Sequence, residues 1–308
     1  MQHKLQKKKI EGINPFTVTC PNVIQKAIII AINSKISLLI ARKLGNILVF
    51  LRPDKARELS ANRITLVHKN KKNLGIQERL MRYALVKKLD KIKDHNIIAE
   101  SNREFWSNKS AIELFKETED SLETLFKPHC SFIFDLLKKE LANQDEKFKT
   151  MVEIGTGNGN VLNHLSTKFQ QIERFIGIDL SLDQIEINRK KFSANKRLEF
   201  VASDAYDWVR ENGHEKTIFI SYNGVLEYFM EEQLQELLNE INRLGEILFI
   251  AIEPNGSGHD FETNPNTQLY GNEPSFSHNY PRLFKNAGFN LWHFSQQPYI
   301  TGGSQLTF

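Results

Sequence analysis

Cysteine is scarce in this chain: two in 308 residues, Cys20 and Cys130. They lie far apart and outside any C-x-x-C or other metal-ligand spacing. This excludes a disulfide framework and a cysteine-bound metal, and it points to reduced thiols and a cytoplasmic setting. His129 beside Cys130 is a lone adjacent pair that reads as helix surface, so no metal site is expected. Long apolar runs are missing too. The most apolar stretch, residues 23–51, is interrupted by Lys26, Lys35, Arg42 and Lys43. No charge-free run approaches the roughly 20 residues of a membrane span. Lys4, Lys7, Lys8 and Lys9 are not followed by the apolar core of a signal peptide. Internal repeats, low-complexity tracts and the G-x-x-x-x-G-K-[ST] phosphate loop are also absent.

What is present is an ordinary globular composition, 40% hydrophobic and 25% charged, with 21 Phe to fill a core or an apolar pocket. The net charge of +4 conceals a split. Residues 1–110 carry 23 Lys and Arg against 8 Asp and Glu, whereas the remainder carries 18 against 29. Two parts with different tasks are expected: a basic, mainly helical region over 1–108 and a second domain over 109–308. The basic part suits a lid, a homodimer contact, or a surface for nucleic acid or an acidic partner. It suits equally a solvated face docked on the acidic half.

Residues 23–51 read as a buried or partner-facing helix that ends in a short strand at 47–51. Helical spacing of apolar residues follows at 76–92 and at 110–141, the latter with a break expected at Lys127-Pro128. Residues 143–149 are polar and read as a linker. Beyond Lys149 short apolar runs alternate with amphipathic segments. Strands are predicted at 150–154, 174–179, 198–202, 217–222 and 246–252, with closing strands at 289–295 and 305–308. Helices are predicted at 161–169, 183–192, 205–211, 231–243 and 280–287. This alternation predicts an α/β fold, a doubly wound, mostly parallel seven-stranded sheet with helices on both faces. Ligands of such sheets sit beyond the carboxyl ends of the strands, so the loops after Ile154, Asp179, Ala202 and Tyr222 are the places for chemistry.

The first of these loops, Glu153-Ile154-Gly155-Thr156-Gly157-Asn158-Gly159-Asn160, joins the first strand to a helix. Its alternate glycines allow a sharp turn and close approach of a ligand, and the helix N-terminus that follows favours an anionic group. The dinucleotide pattern G-x-G-x-x-G would need glycine where Asn160 stands. The spacing E-x-G-x-G-x-G instead resembles the first motif of the class I S-adenosylmethionine-dependent methyltransferases. The resemblance extends over about residues 130–308. Asp179 ends the second strand twenty residues after Gly159, Ala202-Ser203-Asp204-Ala205 follows the third, and Ser221-Tyr222-Asn223-Gly224-Val225-Leu226-Glu227-Tyr228 follows the fourth.

The resemblance implies a Rossmann-like methyltransferase fold and S-adenosyl-L-methionine as cofactor. Glu153 would lie near the methionine amino group or order the glycine loop. Gly155, Thr156, Gly157 and Gly159 would hold the methionine portion. Asp179, with Leu180, would take the ribose hydroxyls. Ser203, Asp204 and Ala205 would contact the adenine, and Asn223 would flank the cofactor. For the acceptor side the candidates are Tyr222, Glu227 and His259, with Tyr228, Asp260, Tyr270 and His278 nearby. Residues 253–279 form a long segment expected to cross the substrate mouth, and Phe105 and Trp106 are candidates for a lid. The expected activity is methyl transfer to a small molecule, since the Asn-Pro-Pro-Tyr loop of many base-modifying enzymes is absent. Methylation of RNA or protein through the basic region, and a non-catalytic methyltransferase-like binding protein, are the alternatives.

Overall fold

The computed structural model describes residues 35–61, 74–92, 94–108, 110–142, 148–271, 274–298 and 304–308. Residues 23–34 of the apolar stretch, residues 143–147 of the expected linker, and Cys20 lie outside them.

Seven strands form one sheet: β1 (Thr150–Ile154), β2 (Arg174–Asp179), β3 (Leu198–Ala202), β4 (Thr217–Tyr222), β5 (Ile247–Gly256), β8 (Gln296–Pro298) and β9 (Ser304–Thr307). Their order is β3-β2-β1-β4-β5-β9-β8. The first five strands are parallel, while β9 runs antiparallel to both β5 and β8. The first four strands fall where the apolar runs place them, because strands buried on both faces read as near-continuous hydrophobic segments. Alternate side chains divide the core. Met151, Phe175, Ile218 and Ile250 face one layer with Phe126, Phe134, Leu162 and Phe169. Val152, Ile154, Ile176 and Phe219 face the other with Trp208, Leu237 and Ile241.

The helices of the first layer are α6 (Ser131–Ala142), α7 (Asn160–Lys168) and α8 (Leu182–Lys191); those of the second are α9 (Ala205–Asn212), α10 (Glu231–Arg243) and α11 (Tyr280–Asn286). Ahead of the sheet come α1 (Lys35–Leu51), α2 (Pro53–Ala61), α3 (Ile76–Ile92), α4 (His95–Trp106) and α5 (Ser110–Glu117). No helix among the described residues is long and apolar enough to cross a membrane.

Five sequence expectations need correction. Residues 47–51 are the last turns of α1 and not a strand: Leu48 and Val49 pack with Met81 and Leu85 of α3, which holds the run in the helix. Lys127-Pro128 does not break the chain. It lies within a π-helical segment, Leu122–Cys130, that continues into α6, and the interruption falls in the turn at 118–120. A π-helical turn bonds over a longer spacing, which relieves proline's clash with the carbonyl of the turn before it. Cys130 is buried in the core rather than placed on a helix surface, where its apolar character suits it. The closing strand expected at 289–295 is displaced to β8, because pairing with the neighbouring strand begins only at Ser295, which exchanges both backbone hydrogen bonds with Phe308. The segment 253–279 is no plain loop. β5 extends through Gly256, and β6 (Gln268–Tyr270) pairs antiparallel with β7 (Ser275–Ser277) as a separate hairpin.

α1 crosses α3 at Gly45, where an added Cβ would stand 2.1 Å from the Leu80 carbonyl oxygen and 2.8 Å from the Ala84 side chain. Gly45→Val is therefore expected to lower stability by about 1–3 kcal/mol through overpacking, read as a lower thermal midpoint. Unchanged melting would mean that the two helices do not cross so closely.

Candidate functional site

The carboxyl ends of β1, β2, β3 and β4 open on one cavity of about 1610 Å³. It is lined by all four loops singled out from the sequence: the glycine turn, Asp179-Leu180, Ser203-Asp204-Ala205 and Tyr222-Asn223-Gly224. Its other walls come from α3, α4, α5 and the β6–β7 hairpin.

The glycine turn is fixed from within. The Thr156 N–H donates to the Ile178 carbonyl at 2.9 Å, and the Thr156 hydroxyl donates to Glu153 Oε2 at 2.6 Å. Gly155 adopts φ +69° against Val225, whose side chain would lie 2.5 Å from an added Cβ. Gly159 caps α7 in the left-handed region and is pressed by Phe192 and Phe200, each 2.9 Å from an added Cβ. Gly155, Thr156 and Gly157 line the cavity, whereas Gly159 serves the helix–strand packing.

Asp179 is nearly buried at the end of β2. Its carboxylate accepts from the Gly157 N–H at 2.9 Å and the Ser181 N–H at 3.0 Å. Burial raises its pKa, partly opposed by those N–H donors. A carboxylate so placed beside a glycine turn is an acceptor for paired hydroxyls. Asp204 caps α9 by accepting from the Tyr206 and Asp207 N–H groups, and its other oxygen pairs with Arg103 of α4. Arg103 was not anticipated, since only the tertiary fold brings residues 103 and 204 together.

Two buried carboxyls organise the loops. Glu153 is pushed up to about 8 by burial, against the Thr156 hydroxyl bond. Glu253, on β5, accepts from the N–H groups of Val225 at 3.0 Å and Leu226 at 3.2 Å, and so shapes the loop after β4. Burial pushes Glu253 up to about 7. It was missed in the sequence, although an acid directly following the apolar run 247–252 is a signal that could have found it. Both groups bind their protons more tightly folded than unfolded. The stability they confer is present in full below the unfolded value of about 4.3 and is lost as pH rises through about 7 to 8. Glu253→Gln removes one of them, so its thermal midpoint should fall less than the parent's between pH about 5 and about 8; parallel curves would contradict the assignment.

Of the acceptor-side candidates, Tyr222 and Glu227 line the cavity. The Tyr222 ring meets Phe126 edge-on with centroids 5.1 Å apart. Glu227 accepts the Tyr270 hydroxyl's hydrogen bond. His259 is not among the lining residues. Its Nδ1 meets the Ser277 hydroxyl at 2.8 Å and its Nε2 the Asn264 carbonyl at 2.8 Å, so both nitrogens serve the hairpin segment. His278 likewise bridges Thr267 and the Phe229 carbonyl, and burial lowers its pKa to about 4. Trp106, the expected lid aromatic, does line the cavity, together with Phe115 of α5. Among the described residues no group of acids, histidines and cysteines is arranged to hold a metal ion.

The cavity suits an adenosyl cofactor: a glycine turn that added Cβ atoms would obstruct, a buried carboxylate beside it, and a polar third loop. The match to a family model agrees. Residues 151–245 match the family model described as a methyltransferase domain. A search of the curated proteins finds no match. Among solved structures, the magnesium protoporphyrin IX methyltransferase of Synechocystis PCC 6803 with bound SAM is similar over 58% of this chain and 77% of its own, at 13% identity and TM-score 0.40. A SAM-dependent methyltransferase of Leishmania major is similar over 68% and 81%, at 11% identity and TM-score 0.48. One of Clostridium acetobutylicum ATCC 824 is similar over 64% and 96%, at 12% identity and TM-score 0.44. On its glycine turn, its strand order and the family match, residues 151–245 are a methyltransferase domain of the S-adenosylmethionine-dependent kind.

Proposed function

We propose that the chain methylates a small molecule held in the cavity described above, under a lid made by α4, α5 and the β6–β7 hairpin. The observation that carries this reading is the size of the cavity. At about 1610 Å³ it exceeds the roughly 300–1,000 Å³ that one drug-sized ligand occupies. It therefore has room for a cofactor and an acceptor side by side. Asn102 of α4 donates to the Pro274 carbonyl at 3.3 Å, and Ile98 and Ala99 pack on Phe276. These contacts set α4 on the hairpin across the mouth. In this reading residues 1–108 supply part of the lid, and residues 109–308 the catalytic domain.

When bound, the cofactor supplies an activated methyl group. The chain's own residues have the tasks of holding, aligning and drying the site. Gly155, Thr156 and Gly157 would hold the methionine portion, with Glu153 ordering the turn through Thr156. Asp179 and Leu180 would take the ribose, and Ser203, Asp204 and Ala205 the adenine, with Asn223 flanking it. Tyr222 and Glu227 would align the acceptor. Alignment alone supplies a large share of the rate for a displacement of this kind. Trp106 and Phe115 would exclude water.

The test is transfer of labelled methyl from S-adenosylmethionine into a cell extract. Label in the dialysable fraction supports a small-molecule acceptor. Label retained on RNA or protein contradicts it and would favour the basic N-terminal region as the gripping surface.

A further inference from the structure

Gly157, at the centre of the glycine turn, is held through both of its peptide groups. Its N–H donates to Asp179 Oδ2 at 2.9 Å. Its carbonyl accepts from Asn188 Nδ2 at 2.7 Å. Asn188 belongs to α8 and is fully buried. One turn earlier on the same helix, buried Gln184 donates to Asn188 Oδ1 at 2.8 Å. Their spacing of four residues sets both side chains on one face. With its oxygen taken by Gln184, the Asn188 amide turns its nitrogen to the Gly157 carbonyl.

An asparagine inside a helix is a poor helix former, and burying its amide is costly unless the amide is hydrogen-bonded. What the amide accomplishes lies at the turn. Gly157 has φ +50°, and a residue without a Cβ lets its flanking peptides rotate at little steric cost. Asp179 fixes the peptide before Gly157, and Asn188 fixes the peptide after it. The second of these peptides carries the Asn158 N–H. It is trans, so that N–H points opposite to the Gly157 carbonyl and away from Asn188. α8 contributes no residue to the lining of the cavity, whereas Asn158 is part of it. Asn158 also stands just ahead of the N-terminus of α7, where the helix dipole favours an anionic group.

We infer that Asn188 is a positioning residue for the cofactor. By holding the Gly157 carbonyl it turns the Asn158 N–H toward the cavity, to donate to the carboxylate of the methionine portion. The inference rests on the reading of the glycine turn as the holder of that portion, and extends it to a side chain behind the turn that lines no part of the cavity. Asp179 holds the other peptide, so the ribose end keeps its partner when Asn188 is changed.

The experiment is calorimetric titration of two ligands into the parent protein and into Asn188→Leu. One is S-adenosylhomocysteine. The other is 5′-methylthioadenosine, which has the same nucleoside and thioether sulfur but no amino-acid portion. Leucine has the branching of asparagine and cannot donate to the Gly157 carbonyl. The expected result is a fall of about tenfold or more in S-adenosylhomocysteine affinity, the worth of one hydrogen bond to a charged group, with methylthioadenosine affinity held within about twofold. An equal fall for both ligands would overturn the inference and make Asn188 a purely structural residue. Unchanged affinity for both would overturn it as well. The parent protein supplies a second arm should Asn188→Leu fold poorly. Its Asn158 backbone amide resonance should shift strongly with S-adenosylhomocysteine and little with methylthioadenosine, and equal shifts would contradict the aim of that N–H. If neither ligand binds the parent, the cofactor reading fails together with the inference, whereas loss of the split alone leaves that reading standing.

Discussion

Asp179→Ala is expected to weaken S-adenosylmethionine binding by about 100-fold while the protein stays folded. Asp179 is the one carboxylate at the tip of β2, buried and already oriented by the N–H groups of Gly157 and Ser181. Two ribose hydroxyls donating to it would make two charge-assisted bonds, each worth about 1.5 kcal/mol or more, and about 1.4 kcal/mol is a factor of ten. Folding should suffer less. Burying this charge is itself unfavourable, as its raised pKa indicates, and its removal partly offsets the two lost loop bonds. Calorimetry against S-adenosylmethionine and thermal melting together check the prediction. Loss of both binding and fold would make Asp179 a structural residue. Retained binding would move the ribose elsewhere.

Gly155→Val should abolish cofactor binding more completely. A side chain there meets two obstacles. The backbone is at φ +69°, in the left-handed region, which costs a residue with a Cβ about 1–2 kcal/mol. The new Cβ would also stand 2.5 Å from a Val225 methyl. Relief requires movement of the turn or of the loop after β4, whose Val225 and Leu226 N–H groups are held by Glu253. Either movement disturbs a wall of the cofactor site. Gly159→Val serves as contrast. Its obstacles are Phe192 and Phe200 in the core, so it should show first as lost stability, in the melting midpoint. If Gly155→Val binds S-adenosylmethionine as the parent does, the turn does not cradle the cofactor.

The sheet and its ligand end were legible in the sequence because both rest on local signals. Runs such as Met151-Val152, Phe175-Ile176 and Ile218-Phe219-Ile220 are apolar on both faces and short, which leaves little alternative to a central parallel strand. The glycine spacing and Asp179 follow those strands directly. What was illegible depended on partners distant in the chain. The run Ile47-Leu48-Val49-Phe50 gives the same local signal as a strand, and only contact with α3 places it in a helix. The role of Phe115 emerges only where it meets the glycine turn, more than forty residues on. His259 drew attention as a histidine in a long segment, yet its ring nitrogens hold the hairpin region together. Arg103 and Glu253 act through Asp204 and through the backbone after β4, pairings that no spacing within the chain announces.

The most direct test of the central claim is calorimetric titration of the purified protein with S-adenosylmethionine and, separately, with NADH. The account predicts saturable binding of S-adenosylmethionine at one site per chain and none of NADH, since Asn160 stands where a dinucleotide turn needs glycine. Binding of NADH without S-adenosylmethionine, or of neither, would contradict it.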